Sequence, residues 1–363
     1  GVLGLGLVLL SGFLGPSQPD RSFAVLVVWT GWWAGYPMTV YLLGNSWPGL
    51  DPWRGLASLL PDDGRWSLAT GAAPWVSAVG LLGLVWLEVV SPVAERPRLL
   101  AAVILGYTIV ALAGAFLLGR ASWFGTVDPV AGVFRTYGRM APIRRTEDGI
   151  EIAFPGAALA SARTGGDLAV PLVIELLWVT TFEGLVATPA WATAAGVLVG
   201  FGIPAHLLYL LTAVAGFFVF LWAYRIAARY ARHTGDTYVS AETIGAWIAP
   251  SLVPIAAGYH LAHFLGYFIS LSPTLLAVLS HPLSAPAAPR ALIVPGWFGS
   301  LQLLFVLLGH VLAVWIAHSR AFELFPGRLQ PIRSQYPLIA VMIAYTVVSL
   351  WIVSQPFGAP PFV

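Results

Sequence analysis

The chain has 363 residues, of which 58% are hydrophobic and only 9% charged, with a mean hydropathy of +0.82; soluble chains carry about 25% charged residues. Its net charge is a small +2, and no basic run is interleaved with aromatics, so nucleic acid is not an expected partner. Cysteine is absent, which excludes disulfides, thiolate metal sites, covalent haem attachment and cysteine nucleophiles.

This is the composition of a polytopic protein of the cell membrane, with the lipid bilayer as its solvent. Residues 1–14 are apolar and read as the end of a first span or the remnant of a processed signal. A span needs roughly 20 mostly apolar residues. Eight segments qualify, at 22–43, 75–95, 98–119, 168–188, 204–226, 252–272, 298–319 and 336–356. Lipid gives the backbone no hydrogen-bond partner, so each must be helical. The expected fold is one all-α transmembrane domain over residues 1–363, a bundle of eight helices, or nine with the first run.

The Trp- and Pro-rich stretch 44–66 belongs in the headgroup layer, as does 190–200. The loop 120–167 is expected to carry a short interfacial helix at 131–143 and a small hairpin around DGIEIAF (148–154). All eighteen basic residues are arginines, and fourteen fall on the side of loops 44–74, 120–167, 227–251 and 320–335, against four opposite. The positive-inside rule makes that side cytoplasmic and the C-terminus external. No internal repeat is visible. A P-loop, a dinucleotide fingerprint, GxSxG and HExxH are all missing.

Polar groups at membrane depth are costly and usually functional. Here they are Glu88, Glu175, Glu183, His260, His263, Gln302 and His310. His260 and His263 straddle the middle of their span in YHLAHF (259–264), sharing a helix face with Tyr259 nearby. His310 lies near the middle of its own span, and Glu183 about 7–8 Å outward in its span. Imidazoles with a carboxylate suit Zn, Fe or Cu. Glu183, His260, His263 and His310 are therefore the expected metal ligands, with Glu88 as a general base or a partner of an imidazole N–H. Glu175 is expected to pair with an arginine, and His318 and Arg320 to complement a helix C-terminus.

Several motifs also carry a resemblance. TTFEG (180–184), YHLAHF (259–264), GHVLAVWIAHSRA (309–321) and RSQYP (333–337) resemble an uncharacterised family of bacterial polytopic membrane proteins. GNSWPGLDPWRGL (44–56) and PWVSAVGLLGLVWLE (74–88) extend the likeness over most of the chain. Some members are labelled as resembling membrane fenitrothion hydrolase, an organophosphate-ester hydrolase. The resemblance implies roles for Glu183, His263 and His310. Many members have F-E-G-Q soon after A-H-Y, where this chain reads LGYFISLSP (265–273).

Three functions stay open on these grounds. The first is a membrane metalloprotein, either a metal-dependent hydrolase or an oxidoreductase. The second is a non-catalytic subunit of a larger respiratory or redox membrane complex, contacting quinone or a b-type haem held by mid-membrane histidines. The third is a proton or cation transporter using the same residues as a relay.

Overall fold

The computed structural model describes every residue except 63, 147–148, 162–167, 283–287 and 357. In chain order it begins with α1 (Val2–Leu14), α2 (Phe23–Val25), a π-helical stretch (Leu26–Gly35) and α3 (Tyr36–Leu42). Next come α4 (Trp47–Leu50), α5 (Pro52–Ala57), α6 (Ala73–Val90), α7 (Pro97–Leu118) and α8 (Arg120–Ser122). A π-turn (Trp123–Val127) leads into α9 (Pro129–Gly138), strands β1 (Ile143–Thr146) and β2 (Gly149–Ile152), and α10 (Ala157–Ala160). The rest is helical: α11 (Val170–Val186), α12 (Pro189–Gly200), α13 (Ala205–Thr234), α14 (Ala241–Ile248), α15 (Val253–Ser280), α16 (Phe298–Leu324) and α17 (Leu329–Val353).

The protein is an all-α, multi-pass membrane protein. Among the described residues six helices are long and apolar enough to cross a bilayer, or seven if the bent pair α11 and α12 is one span. That is fewer than the eight expected. The 22–43 segment is helical but switches to i→i+5 bonding over Leu26–Gly35, so it is no uniform α-helix. A helix, α9, covers the first part of the segment expected at 131–143 and ends at Gly138. The expected hairpin appears as β1 paired antiparallel to β2, with Ile143 opposite Ile152 and Arg144 opposite Glu151; part of DGIEIAF, at 148, lies outside the described residues.

Local chemistry sets the element ends. Asp51 caps α5 by accepting from the Trp53 and Arg54 amides at 3.0 and 3.1 Å. Gly119, at φ +82°, ends α7 in a conformation that costs other residues a Cβ clash. Between α11 and α12 the chain bends by 79°. Pro189 forces the residue before it out of helical geometry, and Thr188 is extended, accepting from the Trp191 amide at 3.2 Å to start α12. The Ala187 carbonyl freed by the break accepts from the Gly358 amide at 3.0 Å. This repairs the backbone as a low-dielectric surrounding requires.

The chain folds as two compact units. The first comprises Gly1–Val40, Asn45–Arg135 and Phe264–Phe298. Its core gathers Val8, Phe23, Leu26, Trp29, Leu100 and Leu275, with α1 close on α7 where Gly12 faces Ala101. The second comprises Tyr41–Gly44, Thr136–His263 and Gly299–Val363. In it Trp178 of α11 lies against Gly216 of α13 and donates its indole N–H to the Ala213 carbonyl at 2.7 Å. Phe220 of α13 stacks on Tyr345 of α17, centroids 4.7 Å apart and planes 7° apart.

Candidate functional site

Within the second unit, α15 and α16 cross at glycines. A Cβ on Gly258 would lie 3.1 Å from the Gly309 Cα, and one on Gly309 would lie 3.3 Å from the Gly258 Cα. Only residues without side chains let two helix backbones meet this closely. The crossing sits beside Tyr259 and His260 on one helix and His310 on the other. Gln302 ties the same pair together one step along, donating to the Ala262 carbonyl at 2.7 Å.

The two histidines of YHLAHF meet different neighbours. His260 is buried; its Nδ1 and the Tyr41 hydroxyl share a hydrogen bond of 3.2 Å. Tyr137 completes that side, its ring 6.1 Å from His260 and 5.5 Å from Tyr41. His263 instead stacks on Tyr259, one turn earlier, at 6.3 Å and 14°.

Glu183 is half-buried near the end of α11, just before the bend. Its carboxylate interacts electrostatically with the phenols of both Tyr137 and Tyr259. Burial, reinforced by Glu183, pushes the Tyr137 phenol above the usual tyrosine range. The Tyr259 hydroxyl is buried, has no hydrogen-bond partner among the described residues and rests on Gly184, where a Cβ would overlap it. The second unit thus holds one buried polar constellation of Tyr41, Tyr137, Glu183, Tyr259, His260 and His263.

His310 is buried beside the crossing. Its Nδ1 lies 2.8 Å from the Val306 carbonyl, which can only accept, so Nδ1 carries the proton. That leaves a lone pair on Nε2, which is buried without a hydrogen-bond partner among the described residues.

The four expected ligands all fall in the second unit but are not assembled as a metal cage. No group of three or more His, Asp or Glu side chains among the described residues is placed to hold a metal. The i,i+3 spacing shares a helix face, yet the neighbouring rings draw His260 toward Tyr41 and His263 toward Tyr259. Glu175 also departs from expectation. It is fully buried and neither carboxyl oxygen has a hydrogen-bond partner among the described residues, so no arginine pairs with it there. Glu88 belongs to the first unit, where it lines an aromatic cavity.

No protein-family model, curated protein or solved structure matches this chain.

Sequence reasoning passed over two residues and gave a third a different role. Tyr41 and Tyr137 lie far from YHLAHF along the chain, and neither stands in a motif that would have singled it out. Arg320 was expected to answer a helix dipole. It is instead fully buried, donating from Nη1 to the Leu159 and Ser161 carbonyls at 3.0 and 3.3 Å and from Nε to the Trp247 carbonyl. Its guanidinium also lies over the Trp247 ring, 4.8 Å from the centroid. His318 meets Gln335 of RSQYP at 3.2 Å, joining α16 to α17. Much of these two motifs is therefore bracing.

Proposed function

We propose that the protein is a proton-translocating protein of the cell membrane, with its arginine-rich loops cytoplasmic and Glu183 as the carboxylate that exchanges the proton. The observation that carries this reading is the position of Glu183. It stands just before a 79° break in a span and shares buried surroundings with two phenols and, through Tyr137 and Tyr259, with two imidazoles. Broken helices at membrane depth are tolerated where they are buried in protein or line a cavity, and transporters build their ion sites there. Carboxylate, phenol and imidazole groups each accept one proton and give up another, so a contiguous set passes protons without moving backbone. Glu175, on the same helix as Glu183 and two turns earlier, extends the set along α11.

The test is proton flux in proteoliposomes driven by a potassium diffusion potential and read with an internal pH dye. Flux above empty liposomes, lost in Glu183→Gln and reduced in Tyr137→Phe, supports the reading. Flux equal to empty liposomes, or unchanged in Glu183→Gln, overturns it.

A second reading rests on the buried lone pair of His310 Nε2. A transition metal (Zn, Fe or Cu) held there would need Glu183 or His263 to change rotamer toward it. It would bring the hydrolytic chemistry implied by the resemblance to membrane fenitrothion hydrolase-like proteins. Elemental analysis of protein purified without chelator decides: stoichiometric metal that disappears in His310→Ala supports this reading, and metal-free protein removes it.

A further inference from the structure

The first unit holds a cavity unrelated to the proton constellation. It has a volume of about 90 Å³, room for several water-sized bodies. Trp29, Trp32, Trp33, Trp53 and Tyr107 line it, the remaining walls are aliphatic, and Glu88 contributes the only charge. Among the described residues Glu88 has no hydrogen-bond or ion-pair partner; the phenol of Tyr267 lies within its electrostatic reach. An unpaired carboxylate set among aromatic and aliphatic walls is expensive to keep.

The rings around it are held at angles to one another. Trp29 and Trp33 are 5.6 Å apart at 70°, and Trp32 and Trp33 are 6.1 Å apart at 45°. Inclined rings present π-faces in more than one direction, as a cage does. The far wall is pre-set by hydrogen bonds. Trp53 donates its indole N–H to Thr108 Oγ1 at 2.9 Å, and Tyr107 donates to Asp128 at 2.8 Å. Asp128 in turn is fixed by capping α9 through the Ala131 amide at 2.7 Å. Asp51 and Asp128 both act electrostatically on Tyr107. A second cavity of about 430 Å³ shares Val28, Trp32, Trp53 and Ile104 with the first, and no acidic or basic side chain lines it.

We propose that this aromatic cavity binds an amphiphilic organic cation, a quaternary or tertiary ammonium group seated among Trp29, Trp32, Trp33 and Trp53 against Glu88, with its apolar substituent in the adjoining cavity. Tryptophan faces attract cations more strongly than other rings do, and desolvation strengthens the attraction. A carboxylate makes the site charge-selective. A neutral lipid chain would fill the larger cavity equally well but would leave Glu88 uncompensated.

The test uses the full-length protein in detergent, titrated by calorimetry with benzyltrimethylammonium and, separately, with its uncharged carbon isostere neopentylbenzene. The expected result is saturable binding of the cation, weakened about tenfold or more by Glu88→Gln and by Trp32→Leu, unchanged by Glu95→Gln in the turn between α6 and α7, a residue that lines neither cavity, and weak or absent for the neutral isostere. Thermal unfolding of each variant checks that it is folded, and Glu88→Gln preserves shape, so at least one variant reports on binding. Equal affinity for the two ligands, or cation binding indifferent to Glu88→Gln, would make this a lipid-filled groove and overturn the proposal. So would no saturable cation binding to the wild-type protein.

Discussion

The Tyr259 hydroxyl rests on Gly184, the residue that follows Glu183, and a Cβ there would overlap the oxygen. Gly184→Ala must therefore displace the Tyr259 ring and the Ile352 side chain, which the new Cβ would also crowd at 2.7 Å. Overpacking of this kind costs about 1–3 kcal/mol. Thermal unfolding in detergent should show a clear drop for Gly184→Ala. Adding Tyr259→Phe, which deletes the atom in the way, should recover part of it. Strictly additive losses in the double variant would mean that the two residues do not communicate.

The glycine crossing is less forgiving. At Gly309 the atom a Cβ would meet is the Pro254 carbonyl oxygen, part of a helix backbone that cannot rotate aside. Gly309→Val is expected to yield little monodisperse protein, measured by fluorescence-detected size-exclusion chromatography. A variant eluting with wild-type yield would show that the helices can part there at no cost.

Arg320 is expected to resist even conservative change. It satisfies three carbonyls from two separate segments, and its removal strands both the acceptors and a buried space. Deleting one side of such a buried network costs about 3–5 kcal/mol. Lysine lacks the planar fork that reaches several acceptors at once. Arg320→Lys should unfold at a temperature closer to Arg320→Ala than to wild type; wild-type stability in the lysine variant would refute the bracing role.

Tyr41→Phe removes only the hydroxyl bonded to His260 Nδ1. Loss of one neutral hydrogen bond costs about 1 kcal/mol, so the protein should stay folded. Proton flux in proteoliposomes should fall, because His260 loses the hydroxyl that shares its Nδ1 hydrogen bond. Unaltered flux would put Tyr41 off the path.

Asp51 provides a pH signature outside the spans. Burial pushes its carboxyl up to about 6, opposed by the Arg54 and Trp53 amides that it caps; an unfolded aspartate titrates near 4. The folded state then binds the proton more tightly than the unfolded one. This group's contribution is greatest below pH about 4 and is lost as pH rises through about 6. Asp51→Asn keeps the cap and removes the titration. Melting temperatures across this window should decline for wild type relative to Asp51→Asn, and parallel curves would contradict the assignment.

The membrane class was legible because it depends on composition alone, and the long helices because lipid permits little else. The break after Val186 could be read from Thr188 and Pro189 only once a neighbour was known to satisfy the freed carbonyl. Glu183 and the histidines stood out as polar residues in apolar runs. Their partners Tyr41 and Tyr137 did not, since tyrosine is ordinary at a membrane surface and nothing local says which ring turns inward. The expected metal set failed to assemble for a related reason. Helical spacing fixes which residues share a face, while their aim depends on rings supplied by segments distant along the chain.

The π-helical stretch Leu26–Gly35 carries Trp29, Trp32 and Trp33. Winding with i→i+5 bonds uses roughly one residue more per turn than an α-helix needs. Chain length, and not only residue identity, is therefore encoded in the tryptophan cage. Deleting a single residue between Trp29 and Trp32 would let the stretch rewind as α-helix and change which faces these tryptophans present to one another. The cage would be dismantled with every one of its aromatic residues still present.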